Sequence, residues 1–231
     1  MKRTIDQLVK DCLMDDANVN ENLKKYASTV NHNNFARSLW YNNEIIAIYE
    51  IIQTRFEASK LRLSLCGLLD YFQIEYFNER VLDYGLNHIS YALLSDHEPL
   101  ITAYAALRYQ RGRNAELSMD EMVEIGESPI WCNTVQHFMV GHMAGVEKNL
   151  NIIETLTLPK LARDEQGLID DYQFYRALYL RDKGKLEEIL DKLVSPAIHQ
   201  RRNDSPVLNQ YCVHPPLPTE YRAAKLQNYL L

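Results

Sequence analysis

Glycine and proline are scarce in this chain of 231 residues, at eight each. An all-β protein spends both freely on tight turns, so their scarcity argues against a fold of strands and hairpins. No apolar run approaches the length of a membrane-spanning helix. The start, Met1-Lys2-Arg3-Thr4-Ile5-Asp6-Gln7, lacks the apolar stretch of a secretory leader, so the chain is expected to be cytoplasmic. Positive charge is in deficit: 25 Lys and Arg against 31 Asp and Glu leave a net charge of −6. Broad binding to nucleic acid or to an anionic membrane needs a basic footprint, so neither partner is expected. The four cysteines, Cys12, Cys66, Cys132 and Cys212, are widely spaced and form no Cys-x-x-Cys pair. They read as reduced and mostly buried thiols.

Signatures of chemistry are missing as well. His137 and His142 stand five residues apart, so they do not share a helix face as a metal-binding i, i+4 pair does. No Glu sits beside His137 to complete a zinc-protease motif. There is no G-x-S-x-G elbow, no S-x-x-K and no phosphate-binding glycine loop. The carboxylate pairs Asp15-Asp16 and Asp170-Asp171 read as helix starts, where they complement the helix dipole. No catalytic residue, metal or cofactor is expected, and the chain does not read as an enzyme.

What is present is helical periodicity. A helix, turn, helix pattern comes three times. Tyr91-Ala92-Leu93-Leu94 leads through Ser95-Asp96-His97-Glu98-Pro99 to Leu100-Ile101. Tyr175 to Leu180 leads through Arg181-Asp182-Lys183-Gly184-Lys185 to Leu186. A weaker copy runs from Phe138-Met139-Val140 through Gly141 to Gly145 into Val146 and Leu150. Short turns force antiparallel neighbours. The expected fold is therefore all-α, a single domain over residues 1–231 built of antiparallel hairpins in an irregular tetratricopeptide-like right-handed array. A first short helix is expected from Thr4 or Asp6, with a polar break over Asp15 to Asn20 and a second helix over Glu21 to Thr29. Asn34 is a candidate N-cap for a long helix, or two nearly continuous ones, with no Gly or Pro before Gly67. Pro99 suits a first helical turn. Residues Ala197 to Pro218 read as loop, and Thr219 as the cap of a last helix.

The stretch from Ala115 to Pro129 is irregular and holds Glu116, Asp120, Glu121, Glu124 and Glu127 with no Lys or Arg. It reads either as a solvated loop with a short helix or as a negative patch that meets a basic protein partner. In the second reading, Tyr104 and Trp131 are the aromatic anchors, although Ile130 and Val135 beside Trp131 also fit it to a core.

Four segments resemble the immunity protein 49 family of bacterial polymorphic-toxin systems. They are Asn34-Phe35-Ala36-Arg37-Ser38-Leu39, the run from Leu82 to Asp96, the run from Tyr175 to Leu186, and Leu217-Pro218-Thr219-Glu220-Tyr221-Arg222-Ala223-Ala224-Lys225-Leu226. The resemblance lies in the order and texture of helices across most of the chain. It implies an α-helical antitoxin that binds a cognate secreted toxin in the cytoplasm and occludes its active site. It carries over no functional residues, so the acidic patch rests on charge alone. Two rivals stand beside it. One is a tetratricopeptide-like adaptor that binds a peptide, against which the copies here are unequal in spacing. The other is an enzyme with an unrecognised helical site.

Overall fold

The computed structural model describes residues 4–26, 32–77, 85–107, 118–125, 130–162, 167–193, 195 and 198. Among them there is no strand, and the fold is all-α. Ten α-helices follow in order: α1 (Ile5–Tyr26), α2 (His32–Ile52), α3 (Phe56–Phe77), α4 (Gly85–Ser95), α5 (Glu98–Ala106), α6 (Met119–Glu124), α7 (Ile130–Met139), α8 (Met143–Ile152), α9 (Leu168–Leu180) and α10 (Lys183–Leu193). A π-helical turn (Ile153–Thr157) and a 3-10 turn (Leu158–Lys160) prolong α8, and Pro159 lies in the latter. No described helix is long and apolar enough to cross a membrane. The Ala197 to Pro218 loop and the helix expected from Thr219 lie outside the described residues.

Thr4 caps α1, its Oγ1 accepting from Gln7 N at 3.2 Å. The helix then runs straight through Asp15 to Asn20, where a break was expected. The polar stretch holds because its carboxylates find partners on the helix surface. Asn42 Nδ2 of α2 donates to Asp15 Oδ2 at 2.8 Å and to Asp16 Oδ1 at 3.0 Å. Val9, Cys12 and Val19 are buried on the same side of the helix, Val9 and Cys12 against Ile45 and Ile46 of α2. Asp15-Asp16 is therefore a mid-helix tie between α1 and α2, whereas Asp170 and Asp171 do occupy the first turn of α9. Helix α2 begins at His32, two residues before the expected cap at Asn34. Gly67 lies inside α3 and breaks nothing; the interruption falls at Gln53-Thr54-Arg55, which contains neither Gly nor Pro.

One turn geometry recurs at the four shortest joins, α2–α3, α4–α5, α7–α8 and α9–α10. Each holds a single left-handed residue: Thr54 (φ 57°), Asp96 (φ 56°), Gly141 (φ 66°) and Arg181 (φ 56°). In three of them the next residue reaches back five positions. Arg55 N donates to Glu50 O (2.8 Å), His142 N to His137 O (2.9 Å) and Asp182 N to Ala177 O (2.9 Å). The left-handed residues themselves donate three positions back, to Ile51, Phe138 and Leu178. These paired bonds make the Schellman ending of a helix. The residue after the left-handed one then opens the next helix. Ser59 N donates to Arg55 O, Val146 N to His142 O and Leu186 N to Asp182 O. Asp182 Oδ1 also caps Lys185 N (3.0 Å), and His97 Nδ1 caps Leu100 N (3.2 Å), with Pro99 in the first turn as expected. A left-handed residue followed by a cap is enough to reverse the chain.

The hairpins bury one large core and smaller ones beside it. Ile89, Leu93, Leu100, Tyr104, Val135, Phe138, Leu150, Phe174, Leu178 and Ile189 join α4, α5, α7, α8, α9 and α10. Val9, Cys12, Ile45 and Ile46 join α1 to α2, and Ala47, Leu63, Cys66, Tyr91 and Leu94 join α2, α3 and α4. Trp40 meets Tyr91 edge to face with centroids 5.8 Å apart. In α3, Gly67 lets Leu100 of α5 come close: a Cβ there would lie 2.5 Å from Leu100 Cδ2.

Two expectations follow for the folded chain. A β-branched residue is poorly suited to positive φ, so Thr54→Gly should raise stability by about 1 kcal/mol, whereas Gly141→Ala should lower it by a similar amount. Denaturant titration reads both, and the opposite signs would refute the turn assignment. Cys12, Cys66 and Cys132 are buried free thiols. Burial, followed by Asp16, Asp15 and Asp11, pushes Cys12 up to about 11, and burial pushes Cys66 well up. Thiolate is the reactive form, so Cys12 and Cys66 should resist an alkylating reagent at mildly alkaline pH until the chain is unfolded, and burial should shield Cys132 from the reagent likewise. Labelling in the native state at the unfolded rate would contradict this.

Candidate functional site

The acidic stretch folds, in its described part, as the short helix α6 clamped between solvent and α7. Ser118 opens it with a capping box. Ser118 Oγ accepts from Glu121 N (3.2 Å), and Glu121 Oε2 accepts from Ser118 N (2.7 Å). Met119 and Val123 anchor its inner face at 1% exposure each. The Glu121 carboxylate is thus engaged in the helix start. Asp120 turns to α7, where its Oδ1 accepts from Asn133 Nδ2 and lies 3.8 Å from His137 Nε2. Glu124 is exposed and ion-paired with Lys148 of α8. Lys148 is a cation that the composition of the stretch does not reveal, because it comes from 24 residues further along. Glu116 and Glu127 lie outside the described residues.

The two aromatic candidates do not join this surface. Tyr104 is 1% exposed. Its hydroxyl donates to Asp70 Oδ2 (2.7 Å) and to Gly67 O (3.1 Å), so it ties α5 to α3 inside the molecule. Burial, then the Asp70 carboxyl, push the Tyr104 phenol well above its usual range and keep it a neutral donor. A side chain that buried offers a partner no surface, which removes Tyr104 as a contact anchor. Trp131 is half-buried and packs on the core, its ring 6.5 Å from that of Tyr175. Of the expected site, the described residues bring Asp120, Glu121 and Glu124 together on one helix and leave Glu124 as its exposed carboxylate.

Sequence reasoning misses the polar hub behind α6. Helix α7 is buried on nearly every side, yet it carries Asn133, Thr134, Gln136 and His137. Three of these side chains reach other elements, and Thr134 bonds within α7. Asn133 donates to Asp120 of α6 and accepts from Asn149 Nδ2 of α8 at 2.7 Å. Gln136 Nε2 donates to Tyr104 O in the last turn of α5 at 2.8 Å. Thr134 Oγ1 bonds back to Ile130 O at 2.6 Å. His137 Nδ1 meets His142 Nδ1 at 3.0 Å, with the ring centroids 4.9 Å apart. The two histidines do not share a helix face, as their spacing foretells; the turn at Gly141 folds one onto the other instead. The signal available in the sequence was Gly141 itself, a helix-ending residue between them.

At that distance one ring donates the proton and the other accepts it. The space around His137 is taken. A Cβ on Gly145 would fall 2.6 Å from His137 Nδ1 and 2.8 Å from its Cγ, so the α8 backbone presses directly on the ring. No group of three or more His, Cys, Asp or Glu among the described residues is placed to hold a metal ion. The arrangement is suited to holding α6 rigidly on α7 and α8.

With this geometry in view, the chain was compared with known proteins: no protein family, no curated protein and no solved structure matches it.

The hub makes a stability prediction. Gly145→Ala forces a buried ring to move and should cost about 1–3 kcal/mol by overpacking. His142→Ala removes one hydrogen bond and should cost about 1 kcal/mol. Chemical denaturation checks both, and wild-type stability of Gly145→Ala would disprove the close approach of α8 to His137.

Proposed function

We propose that this chain is an immunity protein, an antitoxin that binds a cognate secreted toxin and neutralises it by occluding the active site. The resemblance of the four sequence segments to the immunity protein 49 family supports this reading. The structural observation that carries it furthest is α6. Its inner carboxylates are engaged in the cap and the α7 contact, and its outer carboxylate, Glu124, sits in solvent beside Lys148. A short helix held from behind presents its outer face without having to order on contact, which lowers the entropic cost of binding. Glu124 is paired only at the surface, where an ion pair contributes little. Exchanging Lys148 for a cation of the partner is therefore inexpensive. In this reading the toxin is basic around its active site, the complex forms in the cytoplasm of a bacterium, and charge steers the encounter. The chain then acts by stoichiometric binding and carries out no reaction of its own.

A second reading, a tetratricopeptide-like adaptor without a toxin, draws on the four hairpin turns. It takes the hairpins as an irregular right-handed array that offers a groove to a peptide.

The test is co-expression with the product of the neighbouring gene. Rescue of growth and a purified one-to-one complex are expected. Glu124→Gln should leave stability unchanged and reduce the salt dependence of binding. An unchanged salt slope removes α6 from the interface, and toxicity that the chain does not relieve removes the antitoxin reading in favour of the adaptor.

A further inference from the structure

We draw no further inference here: the strongest candidate, the exposed leucine stripe of α3 formed by Leu61, Leu65 and Leu68, carries nothing because nothing in the structure shows what covers it.

Discussion

The packing of neighbouring helices depends on how the chain reverses in two or three residues. One residue enters the left-handed region, its neighbour bonds back to the outgoing helix, and that same neighbour starts the incoming one. Nothing longer is needed, and little else is allowed. A join this short leaves the second helix nowhere to lie except against the first. At three of the four joins the left-handed residue is not glycine but Thr54, Asp96 or Arg181. Each carries a backbone strain that only the packing of the hairpin it closes can offset.

Polar side chains are the second organising element, and they sit where apolar ones are expected. Asn133, Gln136, His137 and Asn149 lie in the largest cluster of helices, and Asp70 and Gln73 lie on the buried face of α3. A buried donor or acceptor without a partner costs more than a hydrogen bond returns. Such groups therefore fix one arrangement of helices where apolar packing alone tolerates several. The α6–α7–α8 assembly illustrates this. Asp120, Asn133 and Asn149 form a chain of bonds across three helices, and the His137–His142 contact closes the α7–α8 hairpin beside it. These bonds hold the acidic helix through Asp120, and its own cap engages Glu121, so two of its three carboxylates are turned to internal partners.

The legible part of the sequence was local. Periodicity with few glycines and prolines pointed to helices, and the hairpins at Asp96, Gly141 and Arg181 stand where the short charged or glycine-bearing turns placed them. The α2–α3 turn at Thr54 was invisible, because a β-branched residue at positive φ has no sequence signal. The Asp15–Asn20 break was a misreading of the same kind. Its composition is that of a loop, and only Asn42, 26 residues on from Asp16, shows why it stays helical. The candidate site was legible as charge and hidden as geometry, since Asn133 reaches Asp120 and Lys148 reaches Glu124 from other helices.

By itself, then, the sequence determined that the chain is helical and where most of its hairpins turn. Both follow from propensity and periodicity over a few residues. The tertiary structure decided which polar groups face inward, that Tyr104 belongs to the interior, that two histidines five residues apart touch, and that the leucines of α3 face out. Each of these depends on which helices become neighbours. That choice is made by contacts between residues tens of positions apart, for which a linear pattern carries no signal.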